Sequence, residues 1–202
     1  MSMPPLVPSE IDPFAGSHYY LKRQLLKMIG ATFDIYDSGG QQVLQAQKKG
    51  FKLKEDIRIF GGPGFQTELV GIFARQIIDF SAAYDVMDAR TGQKIGAFQR
   101  KGWASLARDE WTVMNAMDQP VAVLIEDQLW MALVRRLLTN LIPQNYDMLV
   151  GETRVADLKQ NFNPFTYHLA IDCFQPPDQL DRRMVLAGAC LLASIEGRQS
   201  GG

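Results

Sequence analysis

The chain has 202 residues, of which 47% are hydrophobic and 21% charged, and its formal net charge is −1. This length suits one large domain, because all-β barrels often reach it as a single unit. The near-zero net charge predicts no nucleic-acid partner, so binding of any anion would need a local cluster of basic residues.

The chain begins with a proline-rich stretch, residues 1–16, that has no signal-peptide pattern and is predicted to be a flexible arm. Residues 17–196 are predicted to form one domain, and residues 197–202 a loose tail. The first element of that domain, residues 19–28, has a pattern that fits either a strand or a helix.

The most informative feature is an internal repeat, in residues 33–51 and again in residues 84–103. Each copy runs aromatic residue, Asp, apolar residue, any residue and Asp, continues through a glycine-containing turn, and ends in two basic residues, Gly and an aromatic residue. Apolar and polar positions alternate, as in a strand, and Asp37 and Asp88 can accept the backbone hydrogen bonds that begin a turn. The repeat therefore predicts two β-hairpins.

Looser hairpins are predicted in residues 57–78, 111–125 and 146–158, with one more strand in residues 167–174. The loop Gly61-Gly62-Pro63-Gly64 has no strand-to-helix context, so we predict a flexible hairpin loop and not a phosphate cradle. About twelve strands in succession suggest a meandering antiparallel sheet, which usually closes to remove its edges. The predicted fold is mainly β, a closed antiparallel barrel.

Two segments have helical patterns instead. Residues 128–139 carry apolar side chains at helical spacing, and Asp127, which directly precedes them, is a suitable N-cap. Residues 184–195 are almost without polar side chains and can be capped by Asp178 or Asp181. A helix that is apolar all round must be buried all round, so we predict a central helix, residues 181–196, inside the barrel. Its small residues would fit a narrow lumen: Ala187, Gly188, Ala189, Ala193 and Ser194.

Residues 84–99 and the stretch Asp181-Arg182-Arg183-Met184-Val185-Leu186-Ala187 resemble the LURP-one-related family, within the tubby C-terminal-like and phospholipid scramblase-like group. The resemblance covers residues 19–195 and implies a twelve-stranded barrel around a hydrophobic helix. It also implies a link to lipids, since tubby domains bind phosphoinositides and scramblases are linked to lipid movement. Residues 175–181 depart from the calcium-binding segment of scramblases, because they hold only two carboxylates. Calcium-activated scrambling is therefore not expected.

The candidate binding residues are the basic and aromatic side chains at the two repeat ends. If the repeats are neighbours, they could converge on an anionic headgroup; the alternative is ordinary solvated charge. They are Lys48, Lys49, Lys52, Arg100, Lys101 and Trp103.

The sequence predicts no enzyme, cofactor or metal site, because no nucleophile elbow, P-loop or zinc-type Cys/His spacing occurs in it. His168 lies on the polar face of its strand with Asp172, either as a surface histidine or as a base that Asp172 orients. Cys173 and Cys190 are predicted to be buried apolar side chains. The leading hypothesis is a non-enzymatic protein that binds an anionic lipid headgroup or small amphiphile; the alternative is a protein-interaction scaffold.

The cysteine content also bears on the cellular location. The two cysteines lie in apolar contexts, and so small a number predicts a reducing cytoplasm. The longest apolar run, residues 184–195, is too short to cross a bilayer. We therefore expect a cytoplasmic monomer whose contact with a membrane surface, if it has one, is peripheral.

Overall fold

The computed structural model describes residues 12–24, 30–49, 56–75, 82–100, 110–126, 145–161, 167–174 and 180–196. Within these ranges the chain forms twelve strands, a short 3₁₀ turn at Pro63–Phe65 and one α-helix, α1, at Arg183–Glu196. The strands are β1 (His18–Arg23), β2 (Ala31–Asp37), β3 (Gln42–Lys48), β4 (Asp56–Gly61), β5 (Thr67–Ala74), β6 (Ala83–Asp88), β7 (Lys94–Arg100), β8 (Glu110–Asn115), β9 (Pro120–Glu126), β10 (Asn145–Val150), β11 (Thr153–Gln160) and β12 (His168–Cys173).

The strands close into an antiparallel barrel in which each pairs with its neighbours in sequence and β1 pairs with β12. The first element, for which the sequence allowed a strand or a helix, is a strand in its described part. Tyr20 on β1 lies opposite Tyr36 on β2 and opposite Ala170 on β12, so both edges of β1 are paired. Closure leaves the sheet without an open edge, and the predicted fold class is confirmed.

Aspartates and glycines form the turns of the two repeated hairpins, as predicted. Two backbone N–H groups of each turn donate to a single carboxylate oxygen, Oδ1 of Asp37 or Oδ1 of Asp88, at 2.9–3.0 Å. Gly40 and Gly92 follow with φ of +76° and +69°, a conformation that costs glycine little. The glycine-rich segment, residues 61–64, begins at the last residue of β4 and leads to β5, which confirms the predicted hairpin connection; the flexibility of the loop stays a prediction.

Helix α1 runs through the barrel and is buried from Met184 to Ser194. Its 14 residues extend about 21 Å at 1.5 Å per residue, close to the length of strands of six to eight residues. The helix contacts β4, β5, β7 and β12, strands from opposite arcs of the ring. Side chains just fill the interior of an eight-stranded barrel, so twelve strands leave room for a helix. The predicted central helix is confirmed.

Two glycines set how closely the helix approaches the wall. A Cβ atom on Gly188 would lie 3.2 Å from Cζ of Phe98 on β7. A Cβ on Gly96 of β7 would lie 2.4 Å from the carbonyl oxygen of Met114 and 2.9 Å from Cε of Met184. All three distances are shorter than ordinary van der Waals contact, so glycine permits the tight fit of helix and wall.

The start of α1 is tied to the barrel by a charged network. The backbone N–H of Arg183 donates to Oδ1 of Asp181 at 2.9 Å, so Asp181 is the cap; Asp178 lies outside the described residues. The Arg183 guanidinium also donates to Asp181 Oδ2 at 2.7 Å and to Asp88 Oδ2, in the β6–β7 turn, at 2.6 Å. These bonds fix the helix start at the end of the barrel where the odd-numbered strands begin, which we call the helix-entry end.

The helix predicted at residues 128–139, the tail at 197–202 and most of the arm at 1–16 lie outside the described residues. The predicted limits of the domain stay predictions. Within the part of the chain that the structure describes, no helix has the length and apolar character needed to cross a membrane.

Candidate functional site

The described members of the predicted basic site lie at one end of the barrel but on separate arcs of its wall. Lys48 ends β3 and Lys49 follows it, Arg100 ends β7, and β4, β5 and β6 lie between these strands. At about 4.8 Å per strand, the two positions are about 19 Å apart along the wall. The condition for convergence, that the two repeats be neighbours, is not met.

Each of these cations also has a contact of its own. Lys48 Nζ donates to the carbonyl oxygen of Ser194 near the end of α1, at 3.3 Å. Lys49 Nζ lies 4.0 Å from Asp56 Oδ2, and the Arg100 guanidinium lies 5.8 Å from the centre of the Trp111 ring. Lys52, Lys101 and Trp103 lie outside the described residues, so a headgroup site built from all six residues stays a prediction.

The structure gives His168 and Asp172 different partners. His168 Nδ1 and the Tyr20 hydroxyl are hydrogen-bonded at 2.5 Å, whereas Asp172 Oδ1 lies 2.7 Å from Nδ1 of His18. Burial, together with the nearby Lys22, lowers the pKa of His168. The hydrogen bond of Asp172 therefore orients His18, and the geometry gives no support to a base at His168 that Asp172 orients.

A cavity of about 240 Å³ lies at the helix-entry end of the barrel, and we call it the mouth cavity. Its walls come from the segment before β1, from the last residues of β12 and from the first turn of α1. The lining residues are Phe14, Ala15, Gly16, Ser17, Tyr19, Cys173, Phe174, Arg182, Val185 and Leu186.

One wall of the mouth cavity is built by residues 14–17, at the end of the predicted arm, and residues 12 and 13 support it. The Tyr19 hydroxyl donates to the carbonyl oxygen of Pro13 at 2.8 Å and accepts from the Gly16 N–H at 2.7 Å. Asp12 Oδ1 accepts from the Phe14 N–H at 3.0 Å, and the Phe14 side chain is buried. These contacts hold Phe14 against the barrel as an apolar wall.

Arg182 supplies the charge of the mouth cavity. It is exposed, and its Nη1 donates to the carbonyl oxygen of Ala15 at 3.1 Å. It forms no ion pair with any residue in the described ranges. A guanidinium has five N–H donors, so most of its capacity is available to a carboxylate or phosphate.

The other titratable side chains that line the mouth cavity stay neutral near pH 7. Burial raises the pKa of Tyr19 to about 12 and that of Cys173 to about 11. Asp172 adds to the rise at Cys173, and Asp12 adds to the rise at Tyr19, so both carboxylates contribute a negative field. The described residues of the lining thus combine apolar walls with one positive charge, while two described carboxylates stand nearby.

Sequence reasoning did not find this site. It placed Phe14 in a flexible arm and noted Arg182 only as part of the helix entry. The available signals were an apolar aromatic directly before β1 and an arginine directly before a wholly apolar helix. Neither signal shows that the two residues line one cavity, because 167 positions separate Arg182 from its partner Ala15.

The described residues include no group of three or more His, Cys, Asp or Glu side chains that could hold a metal ion. Cys190 is buried and Cys173 half-buried, and neither forms a disulfide. The resemblance to the LURP-one-related family stays a prediction. In comparisons with known proteins, no family model, no curated protein and no solved structure matches this chain.

Proposed function

We propose that this barrel is a non-enzymatic binding protein for an anionic lipid headgroup or small amphiphile, and that the mouth cavity is its site. One observation carries the proposal: apolar walls and a guanidinium without an ion pair to the described residues line the same cavity. Ligand sites are mostly apolar concavities with a few placed polar groups that fix orientation. An amphiphile has the matching division into an apolar part and a charged head.

The burial of α1 supports a binding role at the mouth. The helix forms the core of the barrel, so its apolar residues are not available to insert into a bilayer. Amphiphiles would instead reach the protein from outside, where the exposed Arg182 stands at the cavity. Contact with a membrane would then be peripheral.

Replacement of Arg182 tests the proposal. Arg182→Gln removes the charge and the forked donors, and charge-assisted hydrogen bonds are worth about 1.5–3 kcal/mol, so affinity for anionic amphiphiles should fall about tenfold or more. Binding is measured by calorimetric titration with soluble short-chain anionic lipids and by flotation with vesicles of anionic phospholipid at low salt. Arg90→Gln is the matched control, because Arg90 is exposed in the β6–β7 turn at the same end of the barrel.

The two variants separate the outcomes. Binding that Arg182→Gln weakens and Arg90→Gln leaves unchanged supports the mouth cavity. Equal loss in both variants would indicate nonspecific attraction to positive charge. Absence of binding by the parent protein in both assays would contradict the proposal and favour the scaffold hypothesis.

A further inference from the structure

The mouth cavity also restricts which amphiphile it can take. We infer that its ligand is a single-chain amphiphile with one small anionic head, such as a medium-chain carboxylate, and not a multiply phosphorylated lipid headgroup. The inference rests on the proposed function and narrows it to one ligand class. It follows from the size of the cavity, from its charge and from the arrangement of its walls.

The size of the cavity limits the ligand to a short chain. An apolar cavity of about 150 Å³ holds a benzene molecule, which has six carbon atoms, so a volume of about 240 Å³ has room for a somewhat larger apolar group. A chain of about eight carbon atoms fills that space. The two acyl chains of a phospholipid, or an inositol ring with its phosphates, contain far more atoms and would remain largely outside.

The charge of the cavity favours a single negative charge on the ligand. Among the described residues that line the cavity, Arg182 is the one with a charged side chain, since Tyr19 and Cys173 stay protonated near pH 7. A polyanion loses hydrating water from each of its charges when it binds, and several cations would be needed to compensate for that loss. It would also meet the negative fields of Asp12 and Asp172, which act on the same lining residues. A ligand with one carboxylate would neutralise the charge of the Arg182 guanidinium.

The cavity has separate positions for the charged head and for the apolar tail of a ligand. Val185 and Leu186 are buried on α1, Phe14 is buried in the segment before β1, and together they provide an apolar seat. Arg182 lies next to this seat and is exposed. The first backbone N–H groups of α1 are already used, by Asp181 and by the carbonyl oxygens of residues 181 and 182. The guanidinium therefore holds the head, and the helix start contributes its dipole.

A series of soluble ligands tests the inference by calorimetric titration of the full chain. Octanoate should bind, and octanol, which lacks the charge, should bind about tenfold more weakly. Butanoate should bind about a hundredfold more weakly, because it lacks four methylene groups that the walls would bury. A short-chain phosphoinositide should bind more weakly than octanoate.

Two variants locate the binding. Arg182→Gln should reduce the affinity for octanoate towards that for octanol, with little effect on octanol itself. Val185→Phe should weaken both ligands, because the ring occupies the seat of the tail. Circular dichroism and thermal melting check that each variant is folded, and Arg90→Gln again serves as the unaffected control.

The possible results separate this inference from the proposed function. Octanoate binding that depends on Arg182 and on chain length supports the inference. Tight binding of the phosphoinositide without binding of octanoate would overturn the inferred ligand class and leave the proposed function standing. If no member of the series binds, the inference and the proposed function both fail. If Arg182→Gln binds every ligand as the parent protein does, the mouth cavity is not the site.

Discussion

Gly188→Leu is expected to destabilise the protein by about 3 kcal/mol or more, or to prevent folding. A Cβ atom at this position would already lie 3.2 Å from the Phe98 ring and 3.5 Å from Cε of Met148. A leucine adds three further carbon atoms where helix and wall are in contact. Because α1 is enclosed by strands on all sides, it cannot move away from one wall without pressing on another.

Urea denaturation, followed by circular dichroism, measures this loss of stability. Gly92→Leu is the matched control, because a Cβ there would meet nothing within 4 Å, although its φ of +69° disfavours a side chain. That control should lower the free energy of unfolding by about 1–2 kcal/mol, because of its backbone conformation alone. A Gly188→Leu protein as stable as the parent would contradict the position of the helix inside the barrel.

Arg183→Gln is expected to lower the free energy of unfolding by about 2 kcal/mol near pH 7. This value lies between the effect of an exposed ion pair, about 1 kcal/mol or less, and that of breaking a buried one, about 3–5 kcal/mol. The Arg183 side chain is 29% exposed and binds Asp88 and Asp181 at 2.6 and 2.7 Å. The variant leaves both carboxylates without their shared cation and releases the helix start from the β6–β7 turn.

The cost of Arg183→Gln should depend on pH. Hydrogen bonds from Arg183 and from the turn backbone lower the pKa of Asp88 to about 2, whereas an unfolded aspartate titrates near 3.9. A carboxylate with a lowered pKa stabilises the folded state above its unfolded pKa and loses that contribution as pH falls through the folded value. The difference between parent and variant should therefore shrink between about pH 4 and pH 2.

Urea denaturation of both proteins across that pH range measures the difference directly. Arg90→Gln is the control, since it changes the charge of the same turn and keeps both the Arg183–Asp88 pair and the backbone N–H of residue 90 that donates to Asp88. A difference in stability that stays constant from neutral pH to pH 2 would mean that the Asp88–Arg183 pair does not carry the effect.

The fold was predictable because its signals are local. Each hairpin carries its own alternation and its own turn residues, as at Asp88 and Gly92, and these operate over a few positions. The helix was predictable because a segment that is apolar all round has few places to be buried. The segment 19–28 was ambiguous for a related reason: the strand conformation of residues 19–23, in its described part, depends on pairing with β12, which lies about 150 residues away in sequence.

The candidate site was not predictable by the same reasoning. The basic residues at the two repeat ends were considered as one binding site because the repeats resemble each other in sequence. Their separation in the structure depends instead on the number of strands between β3 and β7. The partner of Asp172 depends on the register between β1 and β12, which places His18 directly opposite. The mouth cavity requires three segments, around Phe14, Cys173 and Arg182, to meet at one end of the barrel. No local pattern encodes such a meeting.

The most direct test of the central claim, that the mouth cavity binds an anionic amphiphile, uses Cys173 as a reporter. Its thiol lines the cavity, and its raised pKa of about 11 calls for alkylation by iodoacetamide at alkaline pH. Cys190 is 0% exposed and serves as an internal control. Saturating octanoate or a short-chain anionic phospholipid is predicted to slow the modification of Cys173 in the parent protein, and to do so only at higher concentration in Arg182→Gln. An unchanged rate of Cys173 modification in the presence of saturating amounts of both ligands would contradict the account.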